Sequence, residues 1–472
     1  MATLVLDPVT RLEGHLKIEV TLDSNNVVTE AKAAGNMFRD LENMLKGKVP
    51  KDAALLTQRI CGVCPVSHAT ASAMAIEKIL NFKPNQQALF LRNLINGTNF
   101  IASNILHFYH LTLMDFIQGP QMNPWTPGYT QDMRFSQTDT AALIDNYVKA
   151  LAIRRKAQEM GAIFGGKLPH VGNLVPGGVT SLPSSQNITD FNSYLSEITA
   201  FIKNEYEADV NKVASTYSDY YNIGKGYGNL ITYGAFDIDT NGGKLMSAGT
   251  VTNGVIESIS QDNIKEYVGH CWYSSPSGQN PASGTTTASY PKSDAYTWIK
   301  APRYNEQPYE TGPLARTWIS GDYKQGVSVM DRHMARYIET AKLADNMLTW
   351  INQVVPQASA YTNVSTPVSG SGSGLTDAPR GALGHWVSVS SSKISGYQVI
   401  TPTCWNASPM DDNGNPGPME KALIGIQVAD INQPIELLRI VHSFDPCLAC
   451  SVHVMTPEGV EMSKFIVQPI GG

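Results

Sequence analysis

Asp445-Pro446-Cys447-Leu448-Ala449-Cys450-Ser451-Val452-His453, near the C-terminus, answers an earlier stretch, Arg59-Ile60-Cys61-Gly62-Val63-Cys64-Pro65-Val66-Ser67-His68. Each is a Cys-x2-Cys with a histidine close behind. Two thiolates in one tight turn can bind one soft metal ion, so the two turns together offer a four-sulfur site if the fold brings the chain ends together. From spacing alone, a structural zinc site and a redox-active metal site are equally good readings. A thioredoxin-like pair fits less well, because there are two pairs and neither follows a clear strand into a helix. His68 and His453 read either as hydrogen-bonded core histidines or as partners of sulfur or ligands of a different ion.

The rest of the chain narrows the class. Its 472 residues leave ample material for a large core, and 35 Lys plus Arg against 41 Asp plus Glu give a net charge of −6. No basic run could track phosphates, so nucleic acid is excluded as an expected partner. Four of the 6 cysteines lie in the two motifs, which favours metal chemistry over a disulfide scaffold. The N-terminus lacks the regions of a signal peptide and no apolar run reaches spanning length, so the chain is expected to be soluble with no export address of its own.

Helical periods run over residues 87–118, 139–164, 188–217 and 327–355, and a bundle of long helices is the natural core. Residues 55–80 are helical with a break at Cys61-Gly62 and Pro65, which puts the first pair at a helix boundary. Alternation over 16–22, a turn at Asp23-Ser24-Asn25-Asn26 and a second run from Val27 predict a β-hairpin. Residues 272–328, rich in Ser, Gly, Pro and Tyr, read as a surface excursion, and 365–374 as a flexible Ser/Gly loop. Strand-like runs follow at 386–389 and 397–401. The expected fold class is α+β, predominantly α, with a helical-bundle core and small β elements in a single domain over 1–472.

Glu13 and Glu42, each beside apolar residues, would ordinarily lie on a solvated face. Arg380 follows Pro379 and is either a loop arginine or a fixed guanidinium facing a pocket.

The motifs Arg11-Leu12-Glu13-Gly14-His15, Phe38-Arg39-Asp40-Leu41-Glu42, Arg59-Ile60-Cys61-Gly62-Val63-Cys64, His107-Phe108-Tyr109-His110-Leu111, Asp377-Ala378-Pro379-Arg380-Gly381, Pro402-Thr403-Cys404-Trp405-Asn406 and Asp445-Pro446-Cys447-Leu448-Ala449-Cys450 occur in this order. Together they resemble the large subunit of nickel-iron hydrogenases. The likeness runs from Asp7 to the C-terminus, and stretches such as Phe164-Gly165-Gly166-Lys167-Leu168-Pro169-His170 resemble the selenium-containing branch. A zinc scaffold would not require the other motifs.

The resemblance implies that Cys61, Cys64, Cys447 and Cys450 bind nickel, with Cys64 and Cys450 also bridging to an iron that carries cyanide and carbon monoxide. Dihydrogen is then split heterolytically, with Cys447 passing the proton to Glu13. Arg380 is expected above the open position, with Asp115 and Asp445 balancing its charge and Pro379 shaping the wall. Thr403 and the backbone from Ala378 to Arg380 are expected to hydrogen-bond the cyanides, and His68 to sit near a bridging sulfur. Glu42, the carbonyl of Val399 and His453 are implied as ligands of a magnesium ion, or of iron as in the selenium branch.

The resemblance further implies an iron-sulfur small subunit holding all the Fe-S clusters. It also implies a maturation endopeptidase that cuts after His453 and removes 454–472, and a cytochrome or ferredoxin as downstream carrier. Periplasm is the expected compartment, with membrane association through partners, and cytoplasm is the alternative. A hydrogen-sensing relative and a subunit of an energy-converting membrane complex share many of these residues; the sensor often lacks the tail present here, and the complex subunit usually lacks the Glu-Gly-His and Pro-Arg-Gly matches. Three positions depart from the family pattern: Asp40 where glycine is common, Cys404 where threonine is common, and Met410 where a basic residue is common. Cys447 occupies the position that is selenocysteine in the selenium branch.

Overall fold

The computed structural model describes residues 2–126 and 128–451, without the side chains of 450 and 451. His453 and the tail 454–472 lie outside the described residues. Long helices at Gln86–Ile105, Gln137–Gly165, Ser185–Phe201 and Val329–Ile351 form the core, close to where hydrophobic periodicity places them. The first and third periods continue past these bounds as wider turns, Leu106–Thr112 and Ile202–Tyr206. Ser136, Ser184 and Ser328 start three of these helices by accepting the backbone N–H three residues on, which satisfies an otherwise orphaned donor. Among the described residues, no helix is long and apolar enough to cross a membrane.

The hairpin forms as expected, from Leu16–Leu22 to Val28–Gly35, and a further strand, Ala2–Val9, pairs with its first arm. A second antiparallel sheet, Gly370–Ala378, Gly381–Ser390 and Lys393–Ile400, packs against the helix Pro65–Ile79.

That sheet overturns one expectation. The Ser/Gly stretch is not a flexible loop but largely a strand from Gly370, whose glycines let it lie on the helix. A Cβ on Gly374 would stand 1.8 Å from the Ala71 carbonyl oxygen. Smallness is what the glycines supply here. The 272–328 segment is likewise only partly a surface excursion. Its second half carries the strand Ala301–Tyr304 and the helix Pro313–Ser320, and Arg303 and Arg316 within it are fully buried. Polar composition misleads because these arginines enter the core paired, Arg303 with Asp411 and Arg316 with Glu339 and Asp377.

Candidate metal centre

The two cysteine turns meet. A short turn, Thr57–Ile60, delivers Cys61, and Cys64 caps the helix Pro65–Ile79, whose first position is proline. The backbone N–H groups of Val63 and Cys64 donate to Cys61 Sγ at 3.2 and 3.3 Å. From the other end of the chain, Cys447 Sγ comes within 3.3 Å of Cys61 Sγ. The ligating atoms of Cys61, Cys64 and Cys447 all lie within 4.8 Å of one another, and all three residues are buried. Cys450 follows in the helix Leu448–Ser451.

Three devices bring the turns together. Glu13 and Cys447 form a parallel bridge in which the Leu448 N–H donates to the Glu13 carbonyl at 2.7 Å. The approach requires Gly14, which has φ +84° and where a Cβ would stand 2.7 Å from the Ala449 nitrogen. Arg39 staples both turns, donating to the carbonyls of Ile60 and Ala449 at 2.6 Å each. Beside it Asp40 has φ +53°, a backbone state that glycine favours and aspartate tolerates. That conformation accounts for aspartate at a position where glycine is common.

Glu13 is poised against the sulfurs. Its Oε2 accepts from Cys447 Sγ at 3.2 Å and from the Ala449 N–H at 2.9 Å. Burial, and then the negative charge of Cys61, raise its pKa above the ordinary carboxylate value, against the lowering effect of both hydrogen bonds and of Arg380. Thr403 Oγ1 accepts from the Cys447 N–H at 2.9 Å, which fixes the backbone of Cys447.

Arg380 is fully buried and stays charged. Burial opposes its charge, but Asp445, and then the sulfurs of Cys447, Cys64 and Cys61, outweigh it and raise its pKa. Its Nη2 lies 3.0 Å from Asp445 Oδ1, and its Nε donates to the Asp445 carbonyl at 3.1 Å. Asp115 does not share this role. Arg11 and His442 take its charge, and though burial alone would raise its pKa, they hold it well below the usual range. The carbonyls of Ala378 and Pro379 accept from Arg316 at 3.0 and 2.8 Å, so a buried guanidinium braces the loop that presents Arg380. Sequence reading missed Arg316, which lies in no motif, and the stapling role of Arg39, which lies in a quoted motif but whose partners are backbone carbonyls that no residue pattern reveals.

Glu42 lies in a separate buried cluster. Its Oε1 accepts from the Val399 N–H at 2.8 Å, and its Oε2 accepts from Thr286. Lys300 donates to Thr286 Oγ1 and Gln398 Oε1 at 3.1 and 3.0 Å and pairs with Glu266 at 3.4 Å. His68 is fully buried, and its Nδ1 lies 3.0 Å from His385 Nε2.

Comparison with known proteins agrees with this geometry. The profile of the nickel-dependent hydrogenase family matches residues 39–121 and 117–453, and a HoxL-like profile matches 3–34. The periplasmic [NiFeSe] hydrogenase large subunit of Desulfomicrobium baculatum is 38% identical, over 96% of this chain and 95% of its own length. The quinone-reactive Ni/Fe-hydrogenase large chain of Wolinella succinogenes is 31% identical over 99% and 98%. The crystal structure of the [NiFeSe] hydrogenase from D. baculatum superposes with a TM-score of 0.92, at 38% identity over 96% of this chain and 100% of that one. The Ni-Fe-Se hydrogenase of D. vulgaris Hildenborough does so with a TM-score of 0.92 at 37% identity, over 96% and 100%. The chain belongs to the nickel-dependent hydrogenase large-subunit family and is a nickel-iron oxidoreductase.

Proposed function

We propose that this chain is the catalytic subunit that splits dihydrogen reversibly and heterolytically, with Cys447 and Glu13 carrying the proton. The observation that carries this reading is the 3.2 Å contact from Cys447 Sγ to Glu13 Oε2, beside three sulfurs lying within 4.8 Å of one another.

The donor set fits the implied metals. Three buried, converging thiolates suit a soft ion, and Cys450, one turn beyond Cys447, is the fourth expected ligand. When bound, nickel and an iron bearing cyanide and carbon monoxide supply the Lewis-acid and redox chemistry of H2 cleavage. Cys447 Sγ, with its backbone held by Thr403, hands the proton to Glu13 Oε2, and burial brings that carboxylate's affinity for protons toward that of its donor. Arg380 holds a permanent positive charge beside the sulfurs, and Asp445 keeps it in place. Thr403 and the backbone from Ala378 to Arg380 line the same wall for the diatomic ligands, and His68 serves the sulfur side.

Glu42, the Val399 carbonyl and His453 are proposed to hold a second, hard cation, magnesium or iron. Among the described residues Glu42 and Val399 represent this set, joined by the Val399 N–H on the Glu42 carboxylate, and Lys300 already sits in their hydrogen-bond network. The second ion is therefore expected to bind more weakly than the first.

Electrons need another protein. Cys271 and Cys404 are the only cysteines outside the two pairs, and neither pairing nor spacing lets them hold an iron-sulfur cluster. An iron-sulfur small subunit is the proposed partner, with a cytochrome or ferredoxin beyond it. Maturation by an endopeptidase that removes 454–472 and a periplasmic location complete the reading.

Infrared spectroscopy with nickel and iron analysis of the purified complex tests it. Carbonyl and cyanide bands with both metals are expected, and zinc alone would overturn the reading. Intact-mass measurement tests the tail: full activity in a chain still carrying 454–472 would refute its removal as a step.

A further inference from the structure

Glu13 is delivered by a sharply bent loop. Arg11 has φ +55° and Gly14 has φ +84°, with only Leu12 and Glu13 between them. Left-handed backbone at an arginine persists only where surrounding contacts hold it. Those contacts come from one place, the buried pair Asp115 and His442. Arg11 donates to Asp115 Oδ1 and, at 2.8 Å, to the Leu111 carbonyl. His442 Nδ1 lies 2.6 Å from Asp115 Oδ2, and its Nε2 lies 2.9 Å from the Thr10 carbonyl oxygen. A carbonyl oxygen only accepts, and so does a carboxylate already paired with Arg11, so both ring nitrogens of His442 donate.

The same residue reaches the other partner of the proton contact. His442 lies in the helix Ile435–Ser443, and its carbonyl accepts the N–H of Asp445 at 2.9 Å, just ahead of Cys447. Asp445 is itself left-handed, with φ +54°. One turn earlier in that helix, Arg439 donates from Nε and Nη2 to the Asp115 carbonyl at 2.9 and 2.7 Å. The helix therefore grips residue 115 by both its carbonyl and its carboxylate. From that grip His442 extends to the Glu13 loop on one side and to the Cys447 turn on the other, and the two groups it links come within 3.2 Å of each other.

Resting on the function proposed above, we propose that His442 is a positioning residue for proton transfer: by tying Thr10 and Asp115 to the helix that leads into Cys447, it holds Glu13 Oε2 against Cys447 Sγ. It touches neither of these atoms and acts only through the backbone that carries them. Without it Thr10 loses its tie to the helix, and the Glu13 loop shifts while the sulfur pocket keeps its shape. A proton passes only between heavy atoms within hydrogen-bond reach, so a small displacement of that loop is enough to slow the relay.

The test is H/D exchange by the assembled holoenzyme in a double-mutant cycle of His442 and Glu13, with nickel content and the infrared carbonyl and cyanide bands measured in each variant. His442→Leu is expected to slow exchange about 10- to 100-fold at wild-type nickel content and with the bands unmoved. In the Glu13→Gln background the same substitution is expected to slow exchange by less than about 2-fold more, because the carboxylate it positions is already gone. His442→Gln, whose amide presents one donor end where the imidazole presents two, is expected to fall between His442→Leu and wild type. If His442→Leu does not load nickel, the cycle is run with His442→Gln. Wild-type exchange at full nickel would overturn the proposal, as would displaced bands or an equal slowing with and without the Glu13 carboxylate, the mark of a general structural defect. Unchanged exchange in Glu13→Gln alone would instead refute the proton path proposed above.

Discussion

Two buried charged clusters differ in what neutralises them. At the cysteine turns, three converging sulfurs face one guanidinium, Arg380, which is itself paired with Asp445. Around Glu42, two carboxylates, Glu42 and Glu266, share the ammonium of Lys300 together with Thr286 and Gln398. Burial lowers a lysine pKa, yet Glu266 and Glu42 outweigh it and raise that of Lys300. The second cluster keeps one carboxylate in excess over its ammonium, held by Thr286, Gln398 and the Val399 N–H. The first gathers its negative charge as its thiols give up their protons, a change that soft-metal binding drives. Demand for metal is thus tied to sulfur in one cluster and weaker in the other.

The sharpest way to break this contrast is to remove a ligand from each cluster. Cys64→Ser is expected to abolish nickel binding and activity, whereas Glu42→Gln keeps nickel; metal analysis of both purified complexes checks this, and equal nickel loss would erase the distinction. Next in size is the proton path. Glu13→Gln is expected to retain both metals and to slow H/D exchange by about 10²- to 10⁴-fold, because the amide cannot relay a proton. Unchanged exchange would remove Glu13 from the path.

A smaller effect is expected at the guanidinium. Arg380→Lys leaves the charge but loses the planar fork on Asp445, and turnover should fall about 10- to 100-fold with assembly intact. A wild-type rate would show that any cation suffices there. The last test converts the second cluster into a likeness of the first. Lys300→Met leaves Glu42 and Glu266 uncompensated and is expected to cost about 3–5 kcal/mol of stability, partly recovered by millimolar magnesium. Denaturation followed with and without the ion checks it, and a magnesium-independent loss would argue against a cation at Glu42.

Legibility in the sequence followed the range of each interaction. The long helices were readable because their apolar period is local, and the cysteine turns because thiolates at that spacing carry their own chemistry. The Ser/Gly strand was not, since the glycines between Gly370 and Gly374 serve a helix about 300 residues away in sequence, and composition alone says flexibility. Asp115 was assigned to Arg380, but packing gives it Arg11 and His442 instead. Arg316, which holds the carbonyls of Ala378 and Pro379, has no local signature at all.

Residue chemistry alone pointed to a soft-metal site at the cysteine turns and to a helical core. Sulfur, carboxylate and apolar periodicity keep those properties wherever they sit. Which sulfur meets which carboxylate, which aspartate pairs with Arg380, and that His442 spans Asp115 and Thr10 were decided by tertiary packing. Those contacts join residues far apart in the chain, and only the close-packed interior sets the distances between them.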